Sequence, residues 1–496
     1  MAFIGRTLAG LSFVAALTVQ AKGYEADWES LNERPCPQWW SDAKFGIFIH
    51  WGLFSVPAFA PTGSTSVYDC YAEHYGNPQR WEKIKAFPEY HAKHHSGKSY
   101  SDFAAEFTAE NFQPDKWASL IKRSGARYVV LTSKHHEGFA LWPSAYTPYF
   151  NSMMMGAKRD LCGELSKAIK AAGLHMGFYY SLLEWRHPHY NKADIGRFVD
   201  EVNLPQLKEL VMAYRPDIVG TDGEWDYPWQ VWRGPEFLSW LYNESPVKDT
   251  VVVNDRWGKG MRGKCGDHYT TEYGGLDGKT NDVDAVLASH PWEECRGIGH
   301  SFGYNRFETV DDYMTNERCI ESLAEKCSRG GNLLLNIGPD ATGLIPVIMQ
   351  ERLLAIGRWL SVNGEAIYGT TAWENRPSTM PQDRVYYTKK DPEHNGMLAW
   401  QRTLPEERHH NLNIVSNLPP VDLIRIADNA NRFDLADVPN ANALYRAKDD
   451  RIHHRRKDLP RRYSTCGESR TGLDRHVGEL RQLRWIPVDR RNLQSL

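Results

Sequence analysis

Y-R-P-D-I-V-G-T-D-G-E-W, Tyr214 to Trp225, is the stretch from which the rest of the chain is read. Asp217 to Thr221 is a short apolar run behind a helix-like segment, and the turn residue Gly223 follows at once. The run delivers Asp222 to the carboxyl end of a buried strand. A carboxylate there is held rigidly, and in a parallel α/β barrel that end of the strands faces the chemistry. Asp222 is therefore the candidate nucleophile, with Glu224 and Trp225 beside it. A carboxylate before a glycine also caps turns, so this stretch alone leaves both roles open.

The pattern repeats on both sides. Upstream, Lys44 to Gly52 is strand-like and ends in His50 and Trp51, Tyr128 to Leu131 runs into Lys134-His135-His136-Glu137-Gly138, and Leu174 to Ser181 ends in Tyr179-Tyr180. Downstream, Thr250 to Asn254 leads to Asp255-Arg256-Trp257, and His268 to Tyr273, Trp292 to Ile298 and Asn332 to Ile337 are three further strand candidates. Helical spacing lies between them, at Pro114–Arg123, Asp160–Ala172, Leu204–Tyr214, Phe237–Tyr242, Thr309–Cys327 and Pro346–Val362. Helix and strand alternate from Phe45 to Val362 with polar residues at the strand ends, which predicts an α/β fold with a (β/α)8-like barrel.

From Trp373 the texture changes to short alternating segments, Val385–Thr388, Met397–Trp400 and Leu412–Val415, the mark of a small antiparallel β unit. From Arg446 to Arg491 there are twelve Arg and little apolar periodicity, so this end makes no core of its own. A solvated, poorly ordered terminus competes there with a basic patch for an acidic glycan or membrane. The expected division is a signal peptide at 1–21, a barrel at 22–373, a divergent or truncated β domain at 374–445 and an Arg-rich tail at 446–496.

Composition narrows the partners. The chain has 496 residues, 41% of them hydrophobic, enough for one large core and a smaller second domain. A net charge of -3, from 59 basic and 62 acidic residues, gives no global attraction to nucleic acid or to an anionic membrane. A neutral partner is expected, and the 18 Trp and 24 Tyr suit the C–H faces of sugar rings. Met1 to Ala21, with Arg6 before an apolar stretch too short to span a bilayer, reads as a secretory leader. In an oxidising compartment the eight cysteines are free to pair, except that Cys319 and Cys327 on one helix would stand about 12 Å apart. Asn243-Glu244-Ser245 is a glycosylation sequon weakened by Pro246.

A retaining glycosidase needs two carboxyl groups about 5 to 5.5 Å apart, one to attack the anomeric carbon and one to protonate the leaving oxygen. Asp222 suits the first role, and Glu272 and Glu293, both at later strand ends, compete for the second. Glu224 and Asp226 are too near Asp222 in sequence for a ring to sit between them. Arg256 has the fork to hold a carboxylate or a hydroxyl, and His50, His135 and His136 can donate or accept. Adjacent strand residues point to opposite sides, so His135 and His136 do not share a metal unless the backbone turns there. No metal and no cofactor are expected.

Seven runs together carry a resemblance: K-F-G-I-F-I-H-W-G (Lys44 to Gly52), Y-V-V-L-T-S-K-H-H-E-G-F (Tyr128 to Phe139), Y-Y-S-L-L-E-W (Tyr179 to Trp185), D-G-E-W (Asp222 to Trp225), V-V-V-N-D-R-W-G (Val251 to Gly258), G-I-G-H-S-F-G-Y-N (Gly297 to Asn305) and N-L-L-L-N-I-G-P (Asn332 to Pro339). From about Trp39 to Trp373 the chain resembles the α-L-fucosidases of glycoside hydrolase family 29, and the lysosomal type of animals in particular. The resemblance implies a retaining exo-hydrolase of terminal α-L-fucose, with a barrel and a C-terminal β-sandwich. It implies fucosylated glycans or glycoproteins as partners, no nucleic acid and no membrane span, and leaves a homo-oligomer open.

By motif, Asp222 matches the nucleophile, and His50, His135, His136, Tyr180, Arg256 and Phe302 match the fucose pocket, with Glu73 in the motif ahead of His74. Phe302 and Trp225 suit the methyl that distinguishes fucose from galactose, which leaves weak galactoside cleavage an expectation. Glu272 matches the acid/base of bacterial members and Glu293 the candidate of the animal branch; placement favours Glu272. His74 and Gly220 depart from the pattern, where relatives carry Trp and a bulky aromatic, and both loosen the pocket. The implied location is the secretory pathway, lysosomal or extracellular, or periplasmic in a bacterium. A fucose-binding protein of the same fold without turnover is the alternative.

Overall fold

A computed structural model of the chain describes residues 23–63, 67–273, 290–373, 385–390 and 397–401, which fall into two compact units. In the first, eight strands pair side by side: β1 (Phe45–Ile49), β2 (Tyr128–Lys134), β3 (His175–Ser181), β4 (Ile218–Asp222), β5 (Val252–Val253), β6 (Tyr269–Glu272), β7 (Trp292–Gly297) and β8 (Asn332–Ile337). Their order is β5-β4-β3-β2-β1-β8-β7-β6, and every pair is parallel. This is the barrel the alternation predicts.

Strands β1, β2 and β8 are buried along their whole length, as parallel strands covered on both faces must be. Phe48, Tyr128, Val130, Tyr179, Ile218, Val252, Cys295 and Leu334 point inward and form one core cluster with Phe302 and Tyr71. Gly46 makes room for it. A Cβ at Gly46 would meet the Tyr128 ring at 2.2 Å, so the largest inward side chain of β2 depends on a missing one on β1.

No ladder joins β5 to β6; main-chain and side-chain hydrogen bonds close that seam together. Asp267 N donates to Val253 O at 3.0 Å, and Val253 N donates to Asp267 Oδ2 at 2.8 Å. Asp255 Oδ1 accepts from Thr270 N at 3.2 Å and from Thr270 Oγ1 at 2.6 Å. On the other side of β5 the Asn254 amide accepts from Thr221 N at 3.0 Å and donates to Thr221 O at 2.8 Å, extending the sheet where the strand has ended. Arg34 pins the seam through Asp267 at 2.7 Å.

The helices lie where the spacing puts them, at Pro114–Arg123, Leu161–Ala171, Leu204–Tyr214, Gly234–Asn243, Asn316–Ser328 and Val347–Asn363. One expectation is corrected: the helix expected from Thr309 begins only at Asn316, because Thr309 and Asp312 close a separate short turn through a capping box. The sequon residue Asn243 ends its helix with its amide donating to Tyr24 O and Ser239 O, both at 2.8 Å. The second unit carries a three-stranded antiparallel sheet, order β11-β10-β9, from β9 (Thr371–Ala372), β10 (Val385–Lys389) and β11 (Met397–Gln401). Leu412–Val415, the Arg-rich end and Met1–Ala21 lie outside the described residues. The seven described cysteines are free thiols, so the expected pairing is not found among them.

Candidate active site

At the carboxyl ends of the strands, one guanidinium organises two carboxylates. Arg256 Nη1 donates to Asp222 Oδ1 at 2.6 Å, its Nη2 donates to Glu272 Oε1, and its Nε donates to Thr270 Oγ1 at 3.1 Å. Asp222 Oδ2 accepts from Tyr179 OH at 2.8 Å and lies 3.6 Å from His136 Nε2. Burial alone would raise the Asp222 carboxyl. Arg256, with the Tyr179 hydrogen bond, outweighs burial and holds it well below the usual carboxylate range. Asp222 is thus a fixed anion at the edge of a cavity of 520 Å³.

The imidazoles are oriented from behind. Asn336 Nδ2 donates to Phe302 O at 2.6 Å, which fixes the amide and leaves its Oδ1 to accept from His50 Nδ1 at 2.7 Å. The His50 proton therefore sits on Nδ1, and Nε2 is left as an acceptor. The same logic applies to His136: Ser181 Oγ donates to Leu183 O at 2.6 Å, so it accepts from His136 Nδ1 at 2.6 Å. Burial, with the neighbouring His135, lowers both rings, His50 to about 3 and His136 well below its ordinary value. Both are neutral acceptors in the cavity wall.

His135 and His136 do reach the same cavity, their ring centroids 4.1 Å apart. The backbone turns after Lys134, with Gly138 at φ +89° and its N–H on His135 O at 3.1 Å. Even so, no group of three or more metal-ligating side chains occurs among the described residues.

Glu293 sits deeper than Glu272. On the paired strands Thr270 is level with Glu293 and Glu272 with Cys295, so Glu293 lies two residues, about 6.6 Å, nearer the amino ends. It accepts from Tyr128 OH and lies 3.7 Å from His268 Nε2, and burial pushes its carboxyl up to about 8. Glu224 also lines the cavity, and burial pushes it up to about 7 against the pull of Arg256. Glu73 accepts from Gly303 N at 2.7 Å and is raised by burial.

The structure corrects one residue. Tyr180 faces the outside of the barrel, where its OH donates to Gln206 Oε1 at 2.8 Å and accepts from Lys134 Nζ at 3.1 Å. Tyr179 is the tyrosine in the cavity, because successive strand residues point to opposite faces. The period-two pattern of β3 carried that signal in the sequence. Phe302 lies 4.9 Å from the His50 ring, and Trp225 stands edge-on to His136 at 5.6 Å with 43% of its surface exposed. His74 and Gly220 both line the cavity, and a Cβ at Gly220 would meet nothing closer than 3.6 Å. The backing residues Asn336 and Ser181 were not singled out in the sequence; only contact reveals them.

An ionised carboxylate, a second carboxyl on the same fork, neutral imidazole acceptors and apolar rings suit a neutral polyhydroxylated ring with an apolar edge. A profile of the family described as Alpha-L-fucosidase matches residues 11–365. The chain is 43% identical to the tissue alpha-L-fucosidase of Rattus norvegicus over 393 residues, 77% of this chain and 81% of that one. It is 45% identical to an alpha-L-fucosidase of Branchiostoma floridae over 384 residues, covering 76% and 82%. Among solved structures, the Thermotoga maritima alpha-fucosidase with a mechanism-based inhibitor superposes with a TM-score of 0.65 at 39% identity, covering 77% of this chain and 86% of that one.

Proposed function

This chain belongs to the α-L-fucosidase family of glycoside hydrolases, and on that premise we propose that it releases terminal α-L-fucose with retention of configuration. Asp222 attacks the anomeric carbon while Glu272 gives its proton to the departing oxygen. Water then attacks the same carbon, Glu272 takes its proton, and the bond to Asp222 breaks.

The observation that carries this reading is the Arg256 fork with Asp222 and Glu272 on its two arms. One fork cannot hold two carboxylates much farther apart than two hydrogen bonds and its own width, a range that includes the ~5 to 5.5 Å of retaining enzymes. Glu293 is disfavoured as proton donor by its depth below Glu272 and its bond to Tyr128. His50 and His136 accept from sugar hydroxyls through Nε2, and Phe302 and Trp225 pack on the methyl. The expected leader, with tissue and plasma enzymes among the relatives, supports a secretory-pathway protein.

Two substitutions test the assignment. Asp222→Gly should abolish hydrolysis of an aryl α-L-fucoside, with azide restoring part of it as the β-configured fucosyl azide; full activity in that variant refutes the nucleophile. Glu272→Ala should lose the basic limb of the pH profile yet keep much of its rate on substrates with good leaving groups. If Glu293→Gln shows that behaviour and Glu272→Ala does not, the acid/base assignment moves to Glu293.

A further inference from the structure

The imidazoles that follow β1 and β2 in the cavity wall differ in what stands behind them. His50 Nδ1 meets the Asn336 amide oxygen at 2.7 Å, and His136 Nδ1 meets the Ser181 hydroxyl at 2.6 Å, both neutral acceptors. Behind His135 stands a carboxyl. The turn closed by Gly138 N on His135 O at 3.1 Å folds Glu137 back beneath His135, with Oε2 3.7 Å from Nδ1. Both residues are buried, Glu137 to 1% exposure. Neither Glu137 oxygen nor His135 Nδ1 has a hydrogen-bond partner among the described residues. The carboxyl is also packed tightly against main chain, since a Cβ at Gly52 would stand 3.2 Å from Glu137 Oε1.

An enclosed carboxyl is costly without a hydrogen bond or an opposite charge. Lys134, three residues before it, is taken by Glu184 at 2.8 Å, and Arg186 lies over the ring of Tyr100, the other titratable neighbour of Glu137. That leaves His135 as the matching cation. The 3.7 Å gap exceeds a hydrogen bond, as contacts in a ligand-free active site often do before substrate tightens them. On its other sides His135 stands among His50, His136 and His74, ring centroids 5.7, 4.1 and 6.4 Å away, and in the fields of Glu73 and Asp222. Burial, and after it His135, lowers His50 and His74 to about 3 and His136 well below its ordinary value. A proton entering this group of four rings is placed on the one that a carboxylate backs.

We infer that Glu137 is a positioning residue that keeps a proton on both nitrogens of His135, so that Nε2 donates to the sugar where His50 and His136 accept. The inference rests on the fucosidase reading and adds how one hydroxyl is recognised. A hydroxyl has a single proton to donate, so a wall of acceptors alone satisfies it once and leaves the other acceptors unpaired. A donor beside an acceptor engages it in both directions, and His135 and His50 are placed to flank one hydroxyl in this way.

Glu137→Gln keeps the size of the side chain and an oxygen for Nδ1 but removes the charge, so Nε2 should give up its proton. Parent and variant should be assayed on an aryl α-L-fucoside and on its 2-, 3- and 4-deoxy analogues. On the unmodified fucoside kcat/KM should fall about ten- to a hundredfold, the loss of one charge-assisted hydrogen bond. On one of the deoxy analogues parent and variant should agree within about threefold, because the hydroxyl that His135 serves is missing. Equal losses on all the substrates, the mark of a merely structural residue, or no loss on the unmodified fucoside, overturn the inference. A second reading needs no change at Glu137. In the NMR spectrum of parent protein with isotope-labelled histidine, His135, assigned by its disappearance in His135→Gln, should carry protons on both ring nitrogens at the assay pH. A single proton there overturns the pair even where Glu137→Gln does not fold. Cleavage of the aryl fucoside by the parent leaves the fucosidase reading intact in each case; a parent that cleaves none of the substrates overturns that reading and the sugar-recognition role with it.

Discussion

Tyr179 and Tyr180 show how a single position on a strand separates chemistry from packing. Tyr179 OH donates to Asp222 Oδ2, whereas Tyr180 OH is tied to Gln206 and Lys134 on the outer face. A hydrogen bond to a charged group contributes about 1.5 to 3 kcal/mol, so Tyr179→Phe should lower kcat/KM on an aryl fucoside roughly ten- to a hundredfold with little change in unfolding midpoint. Tyr180→Phe should do the reverse, because it leaves the buried Lys134–Glu184 pair at 2.8 Å short of one partner. If Tyr180→Phe is the variant that loses turnover, the placement of the two rings is wrong. The strand-end positions of His50, Asp222 and Arg256 were legible in the chain because apolar runs stop abruptly at polar residues. The tautomers were not, since they depend on Asn336 and Ser181, hundreds or tens of residues away.

Among the elements, β5 and β6 show what periodicity misses. The apolar run Thr250–Asn254 suggests a five-residue strand, yet only Val252 and Val253 pair as one. Asn254, Asp255 and Asp267 take over with side-chain hydrogen bonds that imitate a ladder, which polar residues after an apolar run do not announce. This places Arg256 directly beyond the last β5 residues, between β4 and β6, where its fork meets Asp222 and Glu272. Asp267 is the keystone: burial pushes its carboxyl up to about 6, against the pull of Arg34. Removing one partner of a buried ion pair costs about 3 to 5 kcal/mol, so Arg34→Met should lower the denaturant midpoint with an unchanged m-value. Without the cation the carboxyl titrates higher still. The loss should therefore be largest above neutrality, where Asp267 is ionised, and shrink as acid protonates it. A loss that is equal at pH 5 and pH 8 would show that the seam does not depend on this charge.

Across the whole molecule two sets of buried groups titrate against each other. Burial raises Glu293 to about 8, Glu224 and Glu308 to about 7 and Asp267 to about 6, and it lowers His50, His74 and His268 to about 3. An acid whose folded value is raised stabilises fully below its unfolded value, about 4, and loses that contribution as pH rises through the folded value. A histidine whose folded value is lowered does the opposite, because below about 6.5 the unfolded chain takes up a proton that the folded one refuses. Between pH 8 and about 6.5 only the acids act, and stability should rise as pH falls. From there to about 4.5 folded carboxyls and unfolded imidazoles bind protons in similar number, giving a plateau; below it the histidines win and stability drops. Glu293→Gln keeps an oxygen to accept from Tyr128 and removes the highest-titrating carboxyl. Its unfolding free energy should lose up to one proton's share of the alkaline slope, about 1.4 kcal/mol per pH unit, with the acid limb unchanged. Denaturant melts from pH 4 to 8.5 read this directly. A parent protein whose stability climbs steadily to pH 8, or a variant with an unaltered slope, would mean that Glu293 is ionised in the folded barrel. Its burial beneath the sugar site would then need a compensating cation.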